Sequence, residues 1–329
     1  MNMQKERPHV SFVVPVHNAG STIGQLMDCI NAVKEFDTEI VLVDDASTDN
    51  SPELIRRASS RQDNIIPVFN EENLGAGHSR NIGFEISSGK YTIFLDADDV
   101  FHADQIHDPV CIMDREDDID VAVFQYCYTD GIGEGYEGMS YIDEQIFRKV
   151  LSGSSEKITD ITESAELTRL TNYPWNKLLR SSRYNGNKRL FGLTKVHNDI
   201  LAHWHVLLHS RKVLVNQGRI CTHIVPDKGK NITNIHSEKR LEMFEALRQT
   251  YGLLSEKPYL KRLCVMHFWD LTVSLASWAE SRTSREMKPG FYNEYRKLIG
   301  MMDFEDIIIM RKLGYHTTMD QILRNFACN

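Results

Sequence analysis

Three carboxylates, Asp96, Asp98 and Asp99, close the stretch Tyr91-Thr-Ile-Phe-Leu-Asp-Ala-Asp-Asp-Val100. Hard oxygen ligands packed this closely suit Mg²⁺ or Mn²⁺ carrying a phosphate. The competing reading is an acidic turn that starts a helix, with an Asp as its N-cap. A second acidic pair, Asp44-Asp45, ends the apolar run Glu39 to Val43. Taken alone, Asp-Asp-Ala-Ser-Thr-Asp there is a capping turn.

Both acidic groups need strands behind them. Tyr91 to Leu95 and Glu39 to Val43 are β-branched, aromatic or apolar, the signature of buried strands. Val10 to Val16 and Ile65 to Phe69 read the same way. Between them, Ile23, Leu26, Met27, Ile30 and Val33 fall at helical spacing. Ser51 is a natural N-cap with Pro52 at the first helical position. Asn73 to Gly83 is a glycine-rich helix entry. Strand and helix alternating over about a hundred residues predict an α/β fold with a mostly parallel sheet. Ligands of such sheets bind at the carboxyl ends of the strands, where both acidic groups stand. Gly75-Ala-Gly77 is no dinucleotide fingerprint, because Arg80 stands where a third glycine belongs.

Further on, Val121 to Tyr128 reads as a strand and Asp130 to Gly138 as a glycine-rich loop. Ile161 to Leu170 is expected to be helical, as is Val196 to His209. Val213–Asn216 and Arg219–Val225 are expected as two short strands. From Ser237 onward the chain reads as helices broken at Pro258, near Pro289-Gly290 and near Gly314.

The 329 residues allow one large domain or two ordinary ones. A net charge of -8 excludes a general nucleic-acid binder, which shows a basic face. The 6 cysteines form no C-x-x-C pair, so zinc knuckles and thioredoxin chemistry are not expected. No apolar run reaches membrane-span length, and Met1 to His9 lacks a signal-peptide core. A cytoplasmic protein is expected, with peripheral contact at the inner face of the membrane left open. His205 and His209 share a helix face, but the H-E-x-x-H pattern of a zinc site is missing.

Val14-Pro-Val-His-Asn18, Val43-Asp-Asp-Ala-Ser-Thr-Asp49, Asn73-Leu-Gly with Ser79-Arg-Asn81, Phe94-Leu-Asp-Ala-Asp-Asp99 and Trp175-Asn-Lys-Leu178 occur in a telling order. Over roughly residues 8 to 240 the chain resembles family 2 glycosyltransferases, inverting enzymes of GT-A fold that use a nucleotide-sugar and a divalent metal. The resemblance implies a GT-A domain over 1–235, with a nucleotide-sugar half near 8–100 and an acceptor half near 101–235. Residues 236–329 would be a helical C-terminal extension.

The resemblance also implies roles. Asp98 would hold Mn²⁺ or Mg²⁺, with Asp96 and Asp99 beside it. Asp45, and less directly Asp44, would hydrogen-bond a uracil-type base. Pro15, His17 and Ala97 would line the nucleoside pocket, with Arg80 near the base or phosphates. His17 stands where the family usually has Tyr. Asp199 matches the catalytic base, and Asn198 replaces the usual acid before it. Asn198 and Trp175 would face the acceptor. His223, His236 and Lys228 are candidate phosphate or metal ligands, and Lys230 and Arg240 are further cations for the diphosphate. Trp204, Trp269 and Trp278 are expected in the core.

The function that the resemblance implies is transfer of a UDP-linked sugar to a surface glycan, teichoic acid or lipid-linked acceptor. A non-catalytic nucleotide or sugar binder on the same scaffold is the alternative, and Asn198 leans toward it. A nucleotidyltransferase would need a basic glycine-rich loop after the first strand, which His17-Asn-Ala-Gly20 is not. The apolar C-terminal helices could serve a homo-oligomer or a membrane surface.

Overall fold

The computed structural model of the chain describes residues 7–129, 138–186, 189–225 and 238–327. Four strands lead: β1 (Val10–Val16), β2 (Thr38–Asp44), β3 (Ile65–Phe69) and β4 (Tyr91–Phe94). They lie parallel in the order β3-β2-β1-β4. β1 and β2 are buried along almost their whole length because a crossover-built sheet is covered on both faces. The crossovers carry α1 (Ile23–Asn31), α2 (Ser51–Ser59) and α3 (Ala76–Ile86).

Register fixes where the chemistry emerges. Val16 pairs with Asp44, and Val13 with Phe94. Asp44-Asp45 and Asp96 to Asp99 therefore leave the sheet at one carboxyl edge.

Beyond β4 the sheet becomes mixed. The added strands are β5 (Val100–Phe101), β6 (Ile119–Thr129), β7 (Glu156–Thr159), β8 (Lys177–Arg180) and β9 (Lys212–Ile224). The order continues β4-β8-β6-β9-β5, with β7 also on β9. β8 runs antiparallel to both β4 and β6, while β6 and β9 are parallel. Helices α4 (His107–Arg115), α5 (Tyr141–Leu151), α6 (Ser181–Tyr184) and α7 (Asn198–His209) complete this half.

Alternation along β1 splits the core. Phe12 and Val14 face one cluster with Leu42, Tyr91 and Trp175. Val13 faces the other, with Val43, Phe94 and Trp204. The C-terminal helices α8 (Glu242–Ser255), α9 (Pro258–Glu280), α10 (Lys288–Ile299), α11 (Phe304–Lys312) and α12 (His316–Ala327) add Leu247, Trp269 and Tyr295 to that second cluster. The expected domain limit at 235/236 falls outside the described residues.

Several expectations change in detail. The Ile161 to Leu170 helix is only a 3₁₀ turn at Ala165–Arg169. The Asp160 side chain accepts from the backbone N–H of Thr162 (2.7 Å) and of Glu163 (3.1 Å), which competes with helix formation. The two short strands near 213 and 225 are one long strand, β9, with register shifts against β6 around Gln125. Such irregularities re-aim side chains without ending pairing. α2 starts one residue earlier than its proline suggests, because the Ser51 hydroxyl accepts from the Ala19 N–H (2.9 Å). The break before α10 lies just ahead of Pro289, which sits in its first turn.

One buried ionic knot holds the C-terminal layer together. Lys261 of α9 lies 2.9 Å from the fully buried Asp306 of α11 and also pairs with Asp303. Asp306 accepts from the Tyr251 hydroxyl (2.5 Å) and the Trp269 indole N–H (3.1 Å). Removing one member of such a set strands the other charge. Asp306→Ala is expected to lower unfolding free energy by about 3–5 kcal/mol, measured by urea denaturation; a change under about 1 kcal/mol would show the knot to be incidental.

Candidate active site

The turn after β1 and the turn after β2 are tied into one wall. Asn18 takes the left-handed conformation (φ 53°), which its short polar side chain tolerates. Its side-chain Oδ1 accepts from the Thr48 N–H (2.8 Å), and its backbone N–H donates to Ser47 Oγ (2.9 Å). Gly20 N–H donates to Asp49 Oδ2 (2.9 Å), which helps hold the Asp49 carboxyl below the usual carboxylate range, behind Ser51 as the main cause. The acidic turn after Asp44 supplies no side-chain cap to α2; Asp44 instead accepts from the Ser47 N–H (3.1 Å) within the turn.

Asp45 is buried and accepts three hydrogen bonds. They come from the Asn70 amide (2.8 Å), the Leu74 N–H (3.0 Å) and the Gly75 N–H (2.7 Å). The His17 Nδ1–H donates to the Asp45 carbonyl (2.9 Å), and its Nε2 accepts from Asn18 (3.3 Å). Asp44 lies behind: one oxygen accepts from the Ser47 N–H (3.1 Å), and the other is buried without a partner among the described residues.

These groups border a cavity of about 560 Å³ lined by Pro15, His17, Asp45, Arg80, Asp96, Ala97, Asp98 and His223, among others. That is within the range of about 300–1,000 Å³ for small-molecule sites. A larger cavity, about 1020 Å³, lies at the amino ends of β2 and β3 beside Thr38 and Ile66. Glu39 there is already satisfied by Ser11, Ser88 and Gly89, so chemistry selects the smaller one.

Arg80 crosses the cavity floor. It pairs with Asp96, donates to Asn198 Oδ1 (3.0 Å) and stands 5.3 Å from the Phe191 ring. Asn198 is thus buried against Arg80, at the start of α7. Gly77 makes this approach possible: a Cβ on it would come within 2.3 Å of the Gly192 carbonyl and 2.7 Å of Asn198 Cβ. Asp199 follows in the first turn of α7. Burial raises its pKa, against the opposing charges of His197 and Arg80. His197, before it, has a left-handed backbone (φ 56°), a strained state that tends to mark functional sites.

The opposite wall carries the acidic triplet. Asp99 is buried and accepts from His223 Nδ1 (2.7 Å) and the Ile224 N–H (3.1 Å). Its other oxygen is buried with no partner among the described residues. Burial pushes Asp99 up to about 6, with His223 opposing and Asp96 and Asp98 adding to the rise. Asp98 opens to solvent, yet the surrounding protein and then Asp96 push it up too. Burial opposes charge on His223, but the carboxylates outweigh it and raise its pKa. Crowded carboxylates with an orphaned oxygen fit a divalent cation. Among the described residues no three His, Cys, Asp or Glu side chains are gathered tightly enough to hold an ion as they stand, so a cation would have to draw the set together.

Trp175 is fully buried, stacked on Tyr173 (4.4 Å) and beneath His223 (5.7 Å). It backs the wall and would reach an acceptor only through those rings. Lys228, Lys230 and His236 lie outside the described residues. Arg240 is 4% exposed, just under the surface. All three of its guanidinium nitrogens are buried without a hydrogen-bond partner among the described residues. Its guanidinium lies 5.2 Å from the Trp278 ring. That contact is worth about 0.5–2 kcal/mol, and no anion among the described residues hydrogen-bonds the cation.

Sequence reasoning missed Lys195 and Lys239, which also line the cavity. Lys195 Nζ donates to the Asn73 carbonyl (2.8 Å). No pattern marks it, but its place between Gly192 and the start of α7 puts it on the connecting turn.

Residues 11–172 match the profile of Glycosyl transferase family 2. Over that segment the chain is similar to glycosyltransferase family 2. The glycosyltransferase GlyA of Streptococcus pneumoniae is 25% identical over 324 residues, which is 95% of this chain and 45% of GlyA. The chain thus spans under half of that relative. Crystal structures of Staphylococcus aureus TarS 1-349 superpose with a TM-score of 0.73 at 18% identity, covering 97% of this chain and 89% of that one. One was solved in complex with UDP-GlcNAc. The mannosyltransferase PcManGT of Pyrobaculum calidifontis, in complex with GDP-Man and Mn²⁺, matches at TM-score 0.54 and 15% identity over 98% of this chain and 86% of that one. The fold of this glycosyltransferase is GT-A-type, with a helical C-terminal region.

The contact at Gly77 gives a direct check. Gly77→Val puts carbon against a backbone carbonyl that cannot rotate away. The variant is expected to lose about 1–3 kcal/mol of stability and to pull α7 off Arg80, read by thermal melting and by heteronuclear NMR shifts of the Asn198 amide. Unchanged melting and shifts would show that the α3–α7 contact is loose.

Proposed function

We propose that this glycosyltransferase moves a sugar from a UDP-linked donor, on Mn²⁺ or Mg²⁺, to a hydroxyl of a surface glycan, teichoic acid or lipid-linked acceptor, with inversion. The observation that carries the reading is the span of Arg80. It joins Asp96, on the proposed metal and diphosphate wall, to Asn198, beside the proposed base. A donor lying between them would have its leaving group on one side and the attacking hydroxyl on the other. The UDP-GlcNAc bound by TarS and the GDP-Man and Mn²⁺ bound by PcManGT support a nucleotide-sugar and a divalent cation.

The division of labour follows. Asp45, with lone pairs left after its three bonds, accepts from the imide N–H of a uracil-type base. Pro15, His17 and Ala97 flank the nucleoside. Asp98, Asp96 and Asp99 hold the cation, which when bound neutralises charge on the leaving diphosphate. His223 adds to that wall through Asp99, and Arg240 would meet the diphosphate from the side of His197. Asp199 accepts the proton of the acceptor hydroxyl as its oxygen bonds to the anomeric carbon and the bond to the diphosphate breaks. One displacement on the far face inverts the anomeric centre. No described helix is long and apolar enough to cross a membrane. Peripheral contact or self-association through the C-terminal helices fits a lipid-linked acceptor.

UDP is expected to raise the melting temperature more with Mn²⁺ than without, since ligands of the folded state stabilise by mass action. Asp98→Ala should lose the metal increment; a variant stabilised as strongly as wild type by UDP with Mn²⁺ removes Asp98 from the metal. Asp199→Asn should keep UDP affinity and lose about 10²–10⁴-fold in transfer rate. Because only the carboxylate accepts the proton, and burial raises its pKa, the wild-type rate should climb with pH through a limb above the ordinary carboxylate range. An active Asp199→Asn enzyme with the same limb would move the base elsewhere.

A further inference from the structure

We propose that Trp278, in the C-terminal layer, is a positioning residue of the donor site, its ring holding the Arg240 guanidinium in place for the diphosphate of the nucleotide-sugar. This rests on the donor reading above.

Trp278 stands on the last turn of α9, more than a hundred residues beyond the segment 11–172 that carries the family match. Its place on an apolar helix face assigns it to the core, and it does pack against the second cluster while staying partly exposed. It also gathers three polar neighbours. The guanidinium carbons of Arg240 and Arg282 lie 5.2 and 4.9 Å from its centroid. The His197 ring meets it edge-on, at 6.3 Å and 87°.

Two guanidinium groups repel each other, and the negative face of the ring favours Arg240 there; Arg282 also donates to the Trp278 carbonyl (3.3 Å) and to Ser281 Oγ (3.2 Å). Burial and then Arg282 lower the Arg240 pKa, the direction expected for a cation held without its anion. An arginine at the surface would normally swing out to water. Arg240 does not: its nitrogens are buried and unpartnered among the described residues. Its neighbour Lys239 lines the donor cavity, as do Lys195 and Val196 just before His197. Arg240 is also close enough to His197 to lower its pKa, after burial. The cation is therefore stored at the rim of the cavity, beside the amino end of α7. A diphosphate supplies what it lacks, oxygens placed for two parallel N–H donors.

The test is a binding cycle on the full chain, by titration calorimetry with UDP and UMP in Mn²⁺, for wild type, Trp278→Phe, Trp278→Leu, Arg240→Ala and Arg240→Ala/Trp278→Leu. Trp278→Leu keeps apolar volume and removes the π face. It should weaken UDP about tenfold and UMP by under about twofold. Trp278→Phe should retain most of the UDP affinity. With Arg240 already Ala, Trp278→Leu should cost UDP nothing further. Equal losses for UDP and UMP, additive losses in the cycle, or a Phe variant as weak as Leu would overturn the role of Trp278 while leaving the donor reading intact. A wild type that binds neither nucleotide would overturn the donor reading and this proposal with it.

Discussion

The arrangement depends on one side chain, Arg80, held between Asp96 and Asn198. It is nearly closed from solvent, and its anionic and polar partners offset the cost of burying its charge. Asp96 comes from the end of a central strand and Asn198 from a helix a hundred residues later. Both are fixed by the same cation, which itself sits on the helix that follows a glycine turn. Closing that triangle requires α3 to approach the chain around Gly192 and Asn198 closely, and Gly77 leaves the room. An asparagine in place of a second acid beside Asp199 has its physical reason here. An amide oxygen satisfies the arginine without a third negative charge between Asp96 and Asp199, both of which already share the field of Arg80.

Charge is distributed so that each side of the site carries a surplus. On one wall, Asp98 and Asp99 are raised by burial and by neighbouring carboxylates, with His223 offsetting only part of this. On the other side, no anion among the described residues hydrogen-bonds the buried Arg240 guanidinium. A cation and a polyphosphate arriving together, as proposed, would relieve both.

Much of this was legible from residue order. The nucleotide-side strands are nearly uniform runs such as Val10 to Val16, because a sheet covered on both faces needs no polar alternation. The acids at their ends followed from that. The acceptor side was harder to read. β7 and β8 are only four residues each and owe their pairing to neighbours far along the chain. The stretch Ile161 to Leu170 has helical periodicity, but Asp160 and Thr162 divert the backbone. Arg80, Asp45 and His17 were found because motifs surround them. Lys195 carries no pattern, and Trp278 reads only as one more apolar helix position; the fold puts Lys195 on the cavity and sets Trp278 against Arg240 and His197.

That packing places a constraint on how such a protein can change. Trp204 of α7, Leu247 of α8 and Trp269 of α9 belong to one apolar cluster that also contains Val13 and Phe94 beneath the acidic triplet. The helical layer is thus a load shared with the catalytic floor, with no seam between them along which a module could be exchanged. New acceptor preferences are more readily reached by altering the turns and side chains that rim the cavity than by trading the layer behind it.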